Sequence, residues 1–553
     1  MTRVTPVGEP AARQRLSYPH SPDVIVHMDM HSAVAVDAPV IQVGKADVSA
    51  EDVLAVARGN ARVEIGPDAQ AEMAAARATI EALAAEPRPV YGVSTGFGAL
   101  AVRHISPELR AQLQRSLVRS HAAGMGPAVE REVVRALMFL RMKTLASGRT
   151  GVRPLVAETM AAILNAGITP VVREFGSLGC SGDLAPLSHC ALVLMGEGVA
   201  YGPDGVERPA GELLAEAGIE PVELLEKEGL ALINGTDGML GMLVMAIADL
   251  SRLFTTADIT AAMSLEALLG TDKVLAPELH SSIRPHPGQA LSAANMLAVL
   301  SGSGLTGHHQ DDAPRVQDAY SIRCAPQVAG AGRDTLAHAA LVASRELAAS
   351  VDNPVVLPDG RVESNGNFHG APVAYVLDFL AIATADLASI SERRTDRLLD
   401  KARSHGLPAF LADDPGVDSG LMIAQYTQAA LVSENKRLAV PASVDSIPSS
   451  AMQEDHVSMG WSAARKLRLA VENLARVLAV ELLASARALE IRADGGSGPI
   501  APATAAAIAA AREAGVQGPG RDRFLSPDLE AAHALVASGG LVEAVERVTG
   551  PLA

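Results

Sequence analysis

Apolar residues recur along the second half of the chain with the spacing of a buried helix face. In "SAARKLRLAVENLARVLAVELLASARALEIRA", Leu467, Val471, Leu474, Leu478, Leu482 and Leu489 fall on one side of a single long helix. "APVAYVLDFLAIATADLASISERR" puts Val373, Val376, Leu380, Leu387 and Ile390 on one face. "GMLVMAIADLSRLFTTADITAAMSLEALLG" is apolar nearly all round and predicts one long buried helix or a pair. Helices of this length bundle, often across subunits.

The first half is more broken. "SAEDVLAVARG" predicts a short helix, with Ser49 as N-cap, Asp52 three residues on and Gly59 closing it. "DAQAEMAAARATIEALAAE" and "AVEREVVRALMFLRMKTLASG" predict two more helices. "YGPDGVERPA" reads as a small hairpin or surface turn. "RPVYGVSTGFGALAVRH" and "GSLGCSGDLAPLSH" are too rich in glycine for regular structure. "DGGSGPIAP" ends the long helical text before a short C-terminal helical region.

Composition narrows the class. Of 553 residues, 48% are hydrophobic but only 3% aromatic, which favours helices over strands. The net charge of −17 argues against a nucleic-acid binder or an anionic-membrane binder. It also requires any anionic ligand to meet a local cation. No run of 18 apolar residues occurs, so no membrane-spanning helix is expected. Cys180, Cys190 and Cys324 are too few for a disulfide framework and suit a reducing cytoplasm. Residues 1–27 lack the apolar core of a signal peptide and read as a disordered extension, with Met28 and Met30 as alternative starts.

Candidate chemistry is ambiguous piece by piece. Ser181 sits between Cys180 and Gly182, but the glycines are misplaced for a hydrolase elbow and no P-loop lysine follows. A structural turn fits equally well. His308, His309, Asp311 and Asp312 are possible metal ligands, yet neighbours this close do not face one point, and a polar loop is favoured. Arg323 follows Tyr320 by three residues and shares its helix face. It could clamp a carboxylate through two parallel hydrogen bonds or form a surface ion pair. His121, Asn234 and Glu454 are equally open between polar surface and site.

In combination the pieces resolve. "YGVSTGFG", "SHAAGMG", "GSLGCSGDLAPLSH", "KEGLALINGT", "RPHPGQ", "QDAYSIRCAPQV", "DNPVV", "GNFHG", "SERR" and "PASVDSIPSSAMQEDHVSM" follow one another over residues 91–459. This text resembles the aromatic amino acid ammonia-lyase family. The resemblance implies a mainly α fold of the fumarase/aspartase-like superfamily. An N-terminal domain over residues 28–235 would carry the loop, and a long-helix bundle would fill 236–553. It implies a homotetramer with each site drawn from three subunits.

It implies further that Cys180, Ser181 and Gly182 cyclise unaided. The Gly182 nitrogen attacks the carbonyl carbon of Cys180, and loss of two waters leaves 4-methylideneimidazol-5-one (MIO), with no diffusible cofactor and no metal. Glycine at 182 suits a compressed turn, and Asp183 would assist closure. The reaction is removal of ammonia from an α-amino acid with loss of a β-proton. Tyr91 would be the base, its pKa lowered by the site, with Tyr320 and Glu454 as further catalytic groups. Arg323 would clamp the substrate carboxylate, Asn234 and Gln317 would add hydrogen bonds, and Phe368 would pack beside the ring.

Family members acting on tyrosine or phenylalanine differ at the Ser120-His121 pair and at Glu454. Both match members acting on histidine, and polar partners suit an imidazole, whereas a phenyl ring would leave them unpaired. The expected reaction is L-histidine to trans-urocanate plus ammonia. The alternatives are an aminomutase or a lyase on another aromatic amino acid, and, from another class, a metal-dependent hydrolase using residues 308–312.

Departures from the usual family text are Ser94, Asp237, Ala348, Ala349, Asn365 and Met452. Cys180 stands where the family usually has alanine, resembling actinobacterial members. A minor packing or redox-sensitising role is expected of its thiol.

Overall fold

The structure, a computed structural model, describes residues 40–44, 48–86, 89–96, 98–306 and 316–553. The N-terminal extension, both alternative starts and the 308–312 cluster lie outside them.

Helices dominate. Asp237–Ala267, Ala371–Leu399 and Gly460–Asp494 run 31, 29 and 35 residues and pack on one another as the centre of a bundle. The apolar text of the first forms one helix rather than a pair. Ala325–Ala348 and Met422–Leu438 flank them. Leu467, Val471, Leu474, Leu478, Leu482 and Leu489 are all buried, as their spacing predicts. So are Val373, Val376, Leu380 and Leu387, with Ile390 partly buried beside them.

Smaller elements sit to one side. Ala50–Ala57 starts at a capping box in which Ser49 and Asp52 exchange side-chain and backbone hydrogen bonds. Pro67, Pro107 and Pro154 each sit in a first helical turn, where the missing N–H costs nothing. The sheets are small. Val40–Val43 pairs in parallel with Arg62–Ile65, and Met125–Ala128 pairs antiparallel with Arg173–Phe175. The expected hairpin forms from Val199–Tyr201 and Glu207–Pro209.

Two segments, Glu228–Ala267 and Ala371–Leu399, reach the length and hydropathy of a membrane span, against the sequence expectation of none. Their apolar windows are 94% and 61% buried inside the protein, so they make the core. The less buried helix leaves Tyr375, Phe379 and Ile382 exposed in a stripe at helical spacing.

The three long helices run in one direction, and their N-terminal ends converge on residues 176–183. Trp461, the sole tryptophan, sits at the start of Gly460–Asp494 and donates from Nε1 to the Glu174 carbonyl at 2.7 Å. This pins the strand that leads into the loop.

Candidate active site

The loop lies between Arg173–Phe175 and the helix Leu184–Leu194. Gly179 and Gly182 both have positive φ, +68° and +77°. A Cβ at 182 would stand 2.0 Å from the Gly235 carbonyl oxygen, so only glycine fits that close approach. Asp183 donates its backbone N–H to the same Gly235 oxygen at 2.7 Å.

Each long helix holds the loop at its first residues. Gly238 and Met239 donate backbone N–H to Asp183 Oδ2 at 2.9 and 3.0 Å. Gly370 N donates to the Gly179 carbonyl at 3.2 Å, and Met459 N to the Leu178 carbonyl at 2.8 Å. Ser458 Oγ donates to Gly179 O at 2.6 Å, and Ser177 Oγ to Asp183 Oδ1 at 2.9 Å. Amides otherwise orphaned at helix ends are thereby used, and the helix dipoles favour electron-rich atoms there.

Two carboxyl groups share this buried ground. Burial pushes the Asp183 carboxyl up to about 7, against the lowering effect of the Met239 amide and Ser177 hydroxyl, with Asp237 raising it further. Burial also raises Asp237, opposed by Arg141, whose Nε lies 3.4 Å from Asp237 Oδ2. Fully buried Arg141 donates to the Asn234 and Val351 carbonyls, both at 2.8 Å. The departure at 237 thus places a carboxylate against the cation that holds Asn234. Arg141 was not singled out from sequence, although an arginine inside "ALMFLRMKTLA" is itself a signal of a buried polar anchor.

The loop's outer side meets Glu454. Cys180 Sγ donates to Oε2 at 3.2 Å and Ser181 Oγ to Oε1 at 3.4 Å. Ser449, a residue without a sequence signal, fixes the carboxylate by donating from Oγ to Oε2 at 3.0 Å. His121 ends the helix Pro107–His121, and its Nδ1 donates to the Leu117 carbonyl at 2.9 Å. Burial lowers its pKa, opposed by the Leu117 carbonyl and Glu454, so the neutral ring presents Nε2 as an acceptor.

Asn234 donates from Nδ2 to the Asn353 carbonyl at 3.0 Å, and its buried Oδ1 has no hydrogen-bond partner among the described residues. Phe368 is half-buried, two residues before Gly370. The Tyr91 hydroxyl accepts from Gly98 N at 3.5 Å. Its pKa is raised, not lowered as expected: burial dominates, and Glu454 and Asp352 add to it, against the Gly98 amide. Among the described residues no cation acts on Tyr91 to offset these terms.

Gln317, Tyr320 and Arg323 are not brought to the loop. They lie at the far end of the bundle, where Gln317 and Tyr320 line a cavity of about 320 Å³ with Leu268 and Arg397. Leu268 caps the helix that starts beside Asp183, and Arg397 is near the end of the one that starts at Gly370. At 1.5 Å rise per residue the two places are roughly 40 Å apart. Tyr320 is 72% exposed, and the Arg323 guanidinium stands 4.7 Å from its ring centroid.

Residues 48–513 match the sequence pattern of the family described as aromatic amino acid lyase. The chain belongs to the aromatic amino acid lyase family. The histidine ammonia-lyase of Streptomyces avermitilis is 79% identical over 513 residues, covering 93% of this chain and 99% of its own. Among solved structures, tyrosine aminomutase from Streptomyces globisporus is 40% identical with a TM-score of 0.87, covering 93% of this chain and all of its own. Histidine ammonia-lyase from Trypanosoma cruzi is 38% identical with a TM-score of 0.83, covering 92% and 95%.

The Cys180 thiol is buried against Glu454. Burial, with Glu454 beside it, pushes its pKa up to about 12, so it stays protonated at neutral pH. A protonated thiol is a weak nucleophile, which argues for the packing role over the redox-sensitising one. Where the loop cyclises as the family resemblance implies, Cys180→Ala is expected to lose the same two waters as the parent, with unchanged sensitivity to thiol reagents at the site. Gly182→Ala is expected to keep its unmodified mass. Intact-mass spectrometry reads both.

Asp183 gives a pH signature. Its carboxyl titrates near 3.8 when unfolded and about 7 when folded, so folding takes up a proton between those values. Its contribution is present below the lower value and lost as pH rises through the higher one. In a Ser181→Ala background, where neither chain can cyclise, Asp183→Asn is expected to flatten the decline in stability across that window. Denaturant unfolding at stepped pH measures it, and parallel declines in the two chains would refute the assignment.

Proposed function

We propose that this chain is a histidine ammonia-lyase, converting L-histidine to trans-urocanate and ammonia. The observation that carries the reading is the polar pair beside Ser181. His121 Nε2 and the Glu454 carboxylate are both acceptors, which suit the N–H groups of a histidine side chain, one in its neutral form and two when it is protonated. A phenyl or phenol ring would bury these groups unpaired.

The residues at the loop fit a ring formed from Cys180, Ser181 and Gly182. Gly182 has no room for a side chain, and Asp183 is a buried carboxyl able to hold or release a proton there. Once formed, the MIO ring would supply an electrophile for the substrate amine. The chain's own groups do the rest. Glu454 and His121 orient the imidazole, Asn234 Oδ1 offers an acceptor, and Phe368 helps to exclude water. Tyr91 takes the β-proton in this reading.

Among the described residues the cations nearest this site, Arg141 and Lys227, are each paired with a buried carboxylate, yet the substrate brings a carboxylate of its own. We infer that Gln317, Tyr320 and Arg323 of neighbouring copies complete it in a homotetramer. Arg323 would clamp the carboxylate and oppose the terms that raise Tyr91. The stripe of Tyr375, Phe379 and Ile382, with Ile423 and Tyr426 on the next helix, offers an apolar face for such assembly. Three cysteines without disulfides suit a cytoplasmic enzyme.

The likeness to tyrosine aminomutase makes an aminomutase the second reading. Purified protein is expected to raise ultraviolet absorbance with L-histidine as urocanate accumulates, and not with L-tyrosine. A β-amino acid product would favour the aminomutase. His121→Ala and Glu454→Gln should each lower kcat/KM for histidine at least about tenfold while leaving the melting temperature nearly unchanged.

A further inference from the structure

Glu481 lies fully buried in the middle of Gly460–Asp494 and gathers donors from two other helices. Thr260 Oγ1 at 3.0 Å and Ser264 Oγ at 2.8 Å come from Asp237–Ala267. Ser391 Oγ at 2.6 Å comes from Ala371–Leu399, as do Arg394 Nε at 2.5 Å and its second nitrogen at 2.9 Å. Arg394 is 1% exposed. Two arms of its guanidinium are therefore spent on Glu481.

The remaining arm points to the Ser321 carbonyl oxygen at 3.4 Å. This is long for a hydrogen bond, but the full charge of the guanidinium still orients the carbonyl dipole. Ser321 lies inside the four-residue turn Tyr320–Arg323. The turn is also held by the buried Ile322, by the Cys324 N–H donating to the Tyr320 carbonyl at 2.9 Å, and by Asp318, whose Oδ2 accepts from Thr271 N at 2.9 Å. Tyr320, by contrast, stands in solvent.

We propose that Arg394, locked by Glu481, is a positioning residue that sets how Tyr320 and Arg323 are presented to the reactive loop of a neighbouring copy. The proposal rests on the shared-site reading above. Only a planar fork can serve Glu481 twice and Ser321 once, so lysine, a point charge, should hold the ion pair but release the turn. Arg394 touches no substrate in this scheme.

Two differently tagged chains co-expressed in one cell test it. Arg394→Lys alone is expected to lose two waters normally, assemble normally, raise KM for histidine and lower kcat/KM at least about tenfold. Ser181→Ala alone is inactive but carries an intact turn. Mixed assemblies combine an Arg394→Lys loop with a Ser181→Ala turn, and KM at those sites should return to that of the parent. Tyr320→Phe mixed with Ser181→Ala is the control for shared sites.

If the control pair recovers activity and the Arg394→Lys pair does not, the proposal falls and the shared site stands. If neither pair recovers, both fall. Ser391→Ala weakens the same node without touching Ser321. It should lower the melting temperature and leave KM alone, and a KM raised as far as in Arg394→Lys would show general loosening and overturn the proposal. Should Arg394→Lys fail to fold, Arg394→Gln with Glu481→Gln gives an uncharged node that still lacks the third arm. It must show the same defect and the same recovery.

Discussion

Asp183 accepts two amide hydrogens at the first turn of a 31-residue helix while its own N–H donates to Gly235 just before that helix. This double tie leaves the backbone between Gly179 and Asp183 little freedom. Gly370 and Met459 grip the loop from the starts of two more long helices. Each helix is stiff and buried along most of its length, so the loop inherits the rigidity of the core. A glycine-rich segment, which in solution would sample many shapes, is thereby confined to one with positive φ at Gly176, Gly179 and Gly182. Conformational freedom is removed by packing rather than by local sequence.

The same helices meet again deeper in the protein. From Gly238 to Thr260, from Gly370 to Ser391 and from Met459 to Glu481, each chain segment advances by nearly the same number of residues. Both layers of polar contacts therefore lie level across the bundle, about 32 Å apart at 1.5 Å per residue. One layer holds the loop. The other is Glu481 with its donors. Buried ion pairs contribute little net stability when compared with apolar packing, and the best-attested use of such a group is to specify one register among several that apolar faces would tolerate. Alanine-rich helices with few aromatic residues need such a device, because small side chains interlock weakly.

Much of this was legible beforehand. The long helices follow from apolar spacing, and the first short helix from Ser49 and Asp52. The loop, Tyr91, His121, Asn234 and Glu454 were found through an ordered set of motifs, and the structure gathers them. What the text could not supply depends on distance in space. Nothing in "QDAYSIRC" says that Tyr320 and Arg323 stand at the opposite end of the bundle from Ser181 in their own chain. The upward shift of Tyr91 in a single chain has the same origin, since the cations expected near it are not among the described groups that act on it. Arg141 and Glu481 are charged residues within apolar helical runs, and their partners come from elements far away in sequence.

The separation of Tyr320 from Ser181 follows from the helices themselves. A rigid bundle of this length exposes its two ends far apart, and no loop in the described residues folds back to join them. A site that needs both ends can form only between chains arranged so that one end meets another's start. The electrostatics lead to the same place. Around the loop a single chain supplies Glu454, Asp183 and Asp237, with Arg141 buried beneath and engaged by backbone carbonyls. An amino acid substrate would bring its carboxylate to a place where the nearby described groups are acidic or neutral. Arg323, held 4.7 Å over the Tyr320 ring at the far end, is a cation already shaped for a carboxylate. Assembly would satisfy the charge at the loop and cover the apolar stripe in one step, so catalytic competence and oligomer formation would be the same event.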